Sequence, residues 1–578
     1  MSEGFVVHAA ISYSQVYMTV IVAGKIMMDY FDLGVYSCPV TTKSAEAQLW
    51  FDRGLNWTFG YNHDEAVVCF EKAVAADPNC AMAHWGIAYA AGPNYNMPWH
   101  LFDEVGRAKA LAKAYDATQV ALANAEQANE IEQALIRALP ARYPQRELID
   151  DQSPWNDAFT NAMREVLKQH PDNLEVRTIL AEAMLNRTPW KMWDLKTGAP
   201  AADADTLECE EILEFALESD HRAMTHPGLL HLYVHLMEMS PYPEKALKAG
   251  DALRTLVPDA GHLVHMPTHI DVLCGHYQNV VHWNDAATHA DLKYYEKEGP
   301  YGIYSGYRRH NYHFVIYGAL FLGQFEPAMA AIRGMAATTP QDMLAMESPP
   351  MADFFESYLA MEPHVMVRFG KWQEALEMPL PEDQKLHCTL TANIHYAKGV
   401  AHAALGNVAA AEAEEQLFLE AKARVPKSRL LHNNRVNDLL EIATYMLRGE
   451  IAYRKEEYDD AFVALWRSVE LDDNLPYDEP WGWMQPTRHA LGALLFEQGR
   501  LDEAEAVFRE DLGLGGELSR ASIHPDNVWA LKGLHDCLAG RGENIEIVQI
   551  KQRLDLANAR ADRAAAAPCF CAQAAMAS

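Results

Sequence analysis

The stretch AQLWFDRGLNWTFGYNHDEAVVCFEKAVAADPNC, residues 47–80, decides the fold. Numbered from Ala47 as position 1, it places Gly54, Trp57, Ala66, Phe70, Ala73 and Pro78 at positions 8, 11, 20, 24, 27 and 32. Small residues at positions 8 and 20 let two helices cross closely, and the large apolar residues fill the facing stripe. Proline after the second helix ends it, because it has no N–H to continue the ladder. One such helix pair cannot bury its own apolar face, so the unit predicts neighbours of the same design stacked on it.

The neighbours are present. With position 1 at Ala392, Gly399, Gly406 and Ala411 fall at positions 8, 15 and 20; Ile442 and Gln485 start two further units on the same pattern. In the middle of the chain the register follows from glycine, alanine, proline and aromatic residues alone, with histidine excluded. Starts at Pro227, Gly261, Arg309 and Glu356 bring Gly275, Gly323 and Gly370 to position 15 of the last three units. The unit at Pro227 fits less well, since Pro241 and Pro243 replace the usual glycine and aromatic residue. The expectation is an all-α protein, an α-solenoid or superhelix of stacked helical hairpins. It divides into an N-terminal extension (1–44), a solenoid (45–545) with a histidine-rich groove at 226–364, and a C-terminal helix with an Ala-rich tail (546–578).

Composition agrees with a folded chain, with 49% hydrophobic and 22% charged residues. A net charge of -32 disfavours nucleic acid and anionic membrane as partners, because both would be repelled over most of the surface. Nine cysteines without a CxxC pair do not make a disulfide framework and point to a reducing, cytoplasmic compartment. The apolar-rich stretch from Gly4 to Met28 is interrupted by Lys25 and by the polar run Ser12–Gln15, and reads as neither signal peptide nor membrane span. The tail from Arg560 ends in Cys569 and Cys571 and reads as an unordered end rather than a soft-metal site.

Histidine then falls where the register puts the inner face. Positions 2, 5 and 9 of the four central units are Gly228, His231, His235; His262, His265, His269; His310, His313, Tyr317; and Ser357, Ala360, His364. Eight of these twelve slots are histidine, where chance placement of 25 histidines in 578 residues would put about half of one. Glu238 adds a carboxylate at position 12 of the first unit. Residues at i and i+4 share a helix face, so His231 with His235, and His265 with His269, present paired imidazoles. Pro267 lies between the second pair and belongs in an early helical turn. Packed helices lie about 8–10 Å apart, close enough for imidazoles of adjacent units to meet over the groove.

The candidate ligands are therefore His231, His235, Glu238, His262, His265, His269, His310, His313 and His364, with His226 as an outer member. A nitrogen-rich set with one carboxylate and no cysteine suits a divalent transition metal (zinc, copper, iron or nickel) rather than calcium or magnesium. Nine ligands exceed the needs of one ion, so two ions fit the set. In HLYVH the residue after the first histidine is Leu232, so the metalloprotease general base is missing, and no phosphate-binding glycine loop or Ser-His-Asp signature occurs. Tyr233, Tyr312 and Tyr317 read as packing residues. Three loops could close the groove: GPNYN with Asn94, Tyr95 and Asn96, RTPWKMWD from Arg187 to Asp194, and YDEPWGWMQP with Glu479 and Trp481.

The 34-residue grammar is that of tetratricopeptide repeats. HPGLLHLYVHLMEMSPYPEKAL, AGHLVHMPTHIDVLCGHY, RRHNYHF, PHVMVRFGKWQEAL and LPYDEPWGWMQPTRHALGALL resemble microbial proteins of that family. HMPTHIDVL and RRHNYHFVIYGALFLGQFEPAM more distantly resemble the central part of tetratricopeptide repeat protein 38. The resemblance spans roughly 45–545. It implies an all-helical superhelix with the central histidines as a shared feature, and it names no substrate.

Two classes of function follow. The first is a metal-dependent enzyme, an oxidoreductase or hydrolase, acting on a small molecule held in the groove. The second is a scaffold binding a peptide or protein partner in the concave groove, which normally presents Lys, Arg and Asn where this chain has histidine. Metal storage or transfer is a third.

Overall fold

The computed structural model describes residues 30–572 apart from 303 and 517; the Gly4–Met28 segment lies outside the described residues. Helix follows helix from Ala45–Phe59 to Glu546–Asn558, each packed on its sequence neighbour, and the only strands among the described residues are Leu430–Leu431 and Asn434–Arg435. The protein is an all-α solenoid of tetratricopeptide-like helix pairs. In the first pair, Ala45–Phe59 and His63–Ala76, Gly54 is set so close to Phe70 that a Cβ would lie 2.7 Å from the ring, which is why position 8 is glycine. The first helix is capped by Ser44, whose side chain accepts from Ala47 N–H, and the second by Asn62, accepting from Glu65 N–H.

The central first helices stand where the register puts them: Pro227–Met237, Gly261–His265 with Pro267–Leu273, and Ser305–Leu322; the unit begun at Glu356 is a short 3-10 turn followed by Glu362–Arg368. Pro267 opens its own short helix, so His265 and His269 sit on either side of a break. Pro241 and Pro243 shorten the partner of Pro227–Met237 to Leu247–Leu253, preceded by a 3-10 turn over Pro243–Ala246.

Two departures matter. The superhelix brings its two halves together: Trp190 Nε1 donates to Glu479 Oε1 at 3.3 Å, and Ser348 Oγ donates to Asp103 Oδ2 at 2.7 Å. The groove is thereby narrowed to a cavity of about 1750 Å³. The tail, expected to be unordered, is packed as far as the described residues run. Phe570 lies over Gly370 and 6.0 Å from the Trp529 ring, Arg368 Nη2 donates to Pro568 O at 3.1 Å, and Cys569 and Cys571 are joined as a disulfide. The tail folds back on the central units as well as the last, with Ala561 against Gly323 and Phe570 against Gly370, and composition alone did not show that. No helix among the described residues is long and apolar enough to cross a membrane.

Candidate metal centre

Six histidines from the first helices of three successive units meet as two triads, His231 with His235 and His262, and His265 with His269 and His310, of which His262, His269 and His310 line the cavity. Within each triad the ligand atoms lie within 4.8 Å of one another, and all six residues are buried. The triads adjoin: the His262 and His265 rings are 5.8 Å apart, and those of His235 and His269 are 6.2 Å apart.

Hydrogen bonds at Nδ1 fix which nitrogen each ring presents. His231 Nδ1 is 2.7 Å from Phe59 O, a carbonyl that can only accept, so Nδ1 carries the proton and Nε2 the lone pair. Asn284 donates to Val280 O at 2.8 Å, which turns its own Oδ1 toward His265 Nδ1 at 2.6 Å. His235 Nδ1 faces Glu238 Oε1 at 3.0 Å, and His269 Nδ1 faces Glu238 Oε2 at 2.7 Å and Glu479 Oε2 at 3.1 Å. Four rings are thus held through Nδ1 with Nε2 left to face the other imidazoles, the arrangement by which carboxylates and carbonyls orient metal-binding imidazoles.

The Nε2 atoms converge. His265 Nε2 and His269 Nε2 are 2.7 Å apart, and His231 Nε2 and His262 Nε2 are 3.1 Å apart. Two lone pairs at that separation repel unless a proton or a cation lies between them. His235 Nε2 and the Nδ1 atoms of His262 and His310 are buried without a hydrogen-bond partner. An orphaned buried polar atom costs about 1–3 kcal/mol, and several in one cluster mark a place where the polypeptide does not complete its own bonding.

Charge follows the same division. Burial, reinforced by neighbouring imidazoles, holds His231, His262, His265 and His310 well below the ordinary histidine range, and burial lowers His235 to about 4. These rings are neutral at pH 7, the form that ligates. His269 is the exception: burial would lower it, but Glu479 and Glu238 outweigh burial and raise it. Burial and the adjacent Glu479 push Glu238 up, whereas His269 and His432 overcome burial at Glu479 and hold it down. Glu238 is thereby held toward its neutral form, Glu479 toward its carboxylate and His269 toward its charged form, whose Nε2 proton a metal would have to displace.

Of the nine ligands expected from sequence, the triads gather His231, His235, His262, His265, His269 and His310. Glu238 bridges His235 and His269 through Nδ1 and falls with His269 and Glu479 in a third group whose ligand atoms lie within 4.8 Å of one another. His313 and His364 lie apart: His313 Nε2 is 2.9 Å from Met484 Sδ, and His364 packs 4.9 Å from the Trp483 ring. His226 caps the helix Pro227–Met237, accepting from Leu229 N–H at 3.1 Å. Tyr233, Tyr312 and Tyr317 face away, toward Glu214, Gly334 and His524 respectively.

The loops converge on the centre. The Tyr95 ring lies 4.5 Å from His235, and Asn96 Nδ2 is 3.5 Å from His262 Nε2. Trp481 turns inward instead, donating to Asp472 at 3.0 Å. Tyr477 and Asp478 of the YDEPWGWMQP loop stand nearby, and residues that no motif signalled complete the surroundings: Phe59, Asn284, His432 and Tyr61. Tyr61 stacks on His235 and His262 at 5.8 and 5.5 Å, and its ring is 4.6 Å from His231. One signal for Tyr61 was available. It occupies position 15 of the first unit, where later units have glycine because the backbone turns left-handed, with φ 76° at Gly275, 70° at Gly323 and 61° at Gly370. Tyr61 holds φ 54° with a bulky side chain.

No family model and no curated protein matches the chain. Solved structures align with it at low identity and low TM-score. The APC/C hetero-tetramer Cut9-Hcn1 aligns at 13% identity over 89% of this chain and 78% of that one, with a TM-score of 0.29. Yeast Tom70 aligns at 11% identity over 88% of this chain and 99% of that one, also at 0.29. Naa15/Naa10 bound to HypK-THB aligns at 13% identity over 89% and 70%, at 0.21. At these scores they say nothing of what the cavity holds, which rests on this chain's own residues.

Proposed function

We propose that the protein binds two transition-metal ions side by side, one in each histidine triad, and acts on a small molecule admitted through the cavity. The observation that carries this reading is the convergence of Nε2 atoms on one another, three of the four from rings whose Nδ1 atoms are already tied. Three protein ligands per ion leave a coordination position open, as in catalytic rather than structural sites. Nitrogen-only donors favour zinc, copper, iron or nickel. An ion bound there supplies Lewis acidity or, if copper or iron, electron transfer. The chain's own part is to fix the rings: Glu238 orients His235 and His269, Asn284 orients His265, and the Phe59 carbonyl orients His231.

A peptide-binding scaffold would leave the inner positions open to a partner, and here the six triad residues are at most 7% exposed. Cobalt(II) reconstitution tests the metal reading. Low-symmetry triads give intense visible d–d absorption in the wild type, which is lost in a His231→Ala, His265→Ala double variant. A wild-type spectrum identical to that of aqueous cobalt refutes the reading.

A further inference from the structure

Backbone strain is concentrated around the centre. Five non-glycine residues among those described have left-handed φ, and three of them, Tyr61 (54°), Trp190 (54°) and His432 (49°), line the one cavity. Strain that survives in a folded chain is held by its surroundings and clusters where side chains must be aimed. The surroundings here are specific. Trp190 N–H donates to the Tyr95 hydroxyl at 3.0 Å, and its indole N–H donates to Glu479. His432 lies in the tight turn between the two short strands, with Nδ1 bonded to Asp478, which in turn accepts from Asn434 Nδ2 at 2.6 Å. The loop Tyr477–Glu479 thus aims two imidazoles at once, His432 through Asp478 and His269 through Glu479.

The two aimed rings form a corner. The indole of Trp190 and the imidazole of His432 meet edge to face, 5.4 Å apart at 88°, and the His432 ring is 5.3 Å from that of triad member His310. His432 keeps 24% of its side chain exposed, and its Nε2 has no hydrogen-bond partner among the described residues. The same cavity is walled by Trp99, Tyr307, Phe355 and Tyr358. Aromatic walls select a planar π system, and one free ring nitrogen selects a single polar group.

We propose that Trp190 and His432 bind a planar aromatic alcohol, its ring against the indole and its hydroxyl on His432 Nε2, beside the His265–His269–His310 triad. A hydroxyl both donates and accepts, so it pairs with this nitrogen in either protonation state. Binding at the corner needs no ion, so the proposal extends beyond the metal reading and fails separately from it.

Calorimetric titration of the full chain with 2-naphthol tests it, in chelator-treated and reconstituted samples whose metal content is measured alongside. Decahydro-2-naphthol serves as the saturated control. One equivalent of 2-naphthol binds about tenfold or more tightly than the saturated alcohol, and Trp190→Leu removes that preference while Trp190→Phe keeps most of it. His432→Gln weakens 2-naphthol about fivefold at unchanged metal content. Equal affinities for the two alcohols, or a 2-naphthol affinity unmoved by both Trp190→Leu and His432→Gln, overturns the proposal. Naphthol binding of the stated pattern in a protein that takes up no metal overturns the metal reading alone.

Discussion

In the C-terminal repeats His489 is partnered at both ring nitrogens, with Arg368 Nη1 2.7 Å from Nδ1 and Asp511 Oδ2 2.9 Å from Nε2. In the central repeats His310 has a hydrogen-bond partner at neither nitrogen among the described residues, and His235 has one only at Nδ1. Both clusters are buried and both include more than one histidine. Both imidazoles here are satisfied: Asp511 also accepts from His524 Nδ1 at 2.9 Å and from Asn527 Nδ2 at 2.8 Å, while the Tyr317 hydroxyl donates to His524 Nε2 at 3.0 Å. A ring saturated by its neighbours is architecture. A ring left with an unpartnered nitrogen inside a cluster of imidazoles is built for something the polypeptide does not contain.

The contrast can be broken most severely at Asp511. Asp511→Ala leaves two buried imidazoles and an amide without their acceptor, and chemical denaturation should show a loss of about 3–5 kcal/mol.

Glu450 is an intermediate case, buried on the inner face with Oε2 unpartnered. Burial raises its pKa to about 7. The folded chain therefore holds a proton that the unfolded chain releases near the ordinary glutamate range, so stability is full below that range and falls as pH rises through about 7. Glu450→Gln removes that loss: denaturation midpoints should match wild type near pH 4 and exceed it at pH 8 by about 3 kcal/mol, at about 1.4 kcal/mol per unit.

Glu456 sharpens the reading of Tyr61, since both occupy position 15 with left-handed φ, 64° and 54°. The Glu456 side chain is exposed, so Glu456→Gly should stabilise by about 1 kcal/mol in the same assay. Tyr61→Gly should destabilise instead, because its ring is packed on three imidazoles. The smallest change is expected at His310. His310→Leu in metal-free protein breaks no hydrogen bond and should shift stability by less than about 1 kcal/mol.

How far the sequence leads depends on the range of the physics involved. Helix pairing is local: Gly54 against Phe70 and Pro78 after the second helix lie within one unit, so the solenoid was legible from residue spacing. The inner-face positions of histidine were legible for the same reason. Which histidines meet was not, because that depends on superhelical twist and on Pro267, which breaks a helix between His265 and His269. His313 follows His310 by less than one turn, yet it faces Met484. Glu479 reaches His269 only because the superhelix brings its halves together, and no spacing rule reports that closure. The tail misled because alanine-rich composition is compatible with both disorder and close packing.

Isothermal titration of chelator-treated protein with zinc tests the central claim most directly. The wild type should take up two equivalents, His231→Ala and His265→Ala one each, and the double variant none. A wild type that binds no stoichiometric zinc, or a double variant that binds as the wild type does, contradicts a metal centre in the two triads.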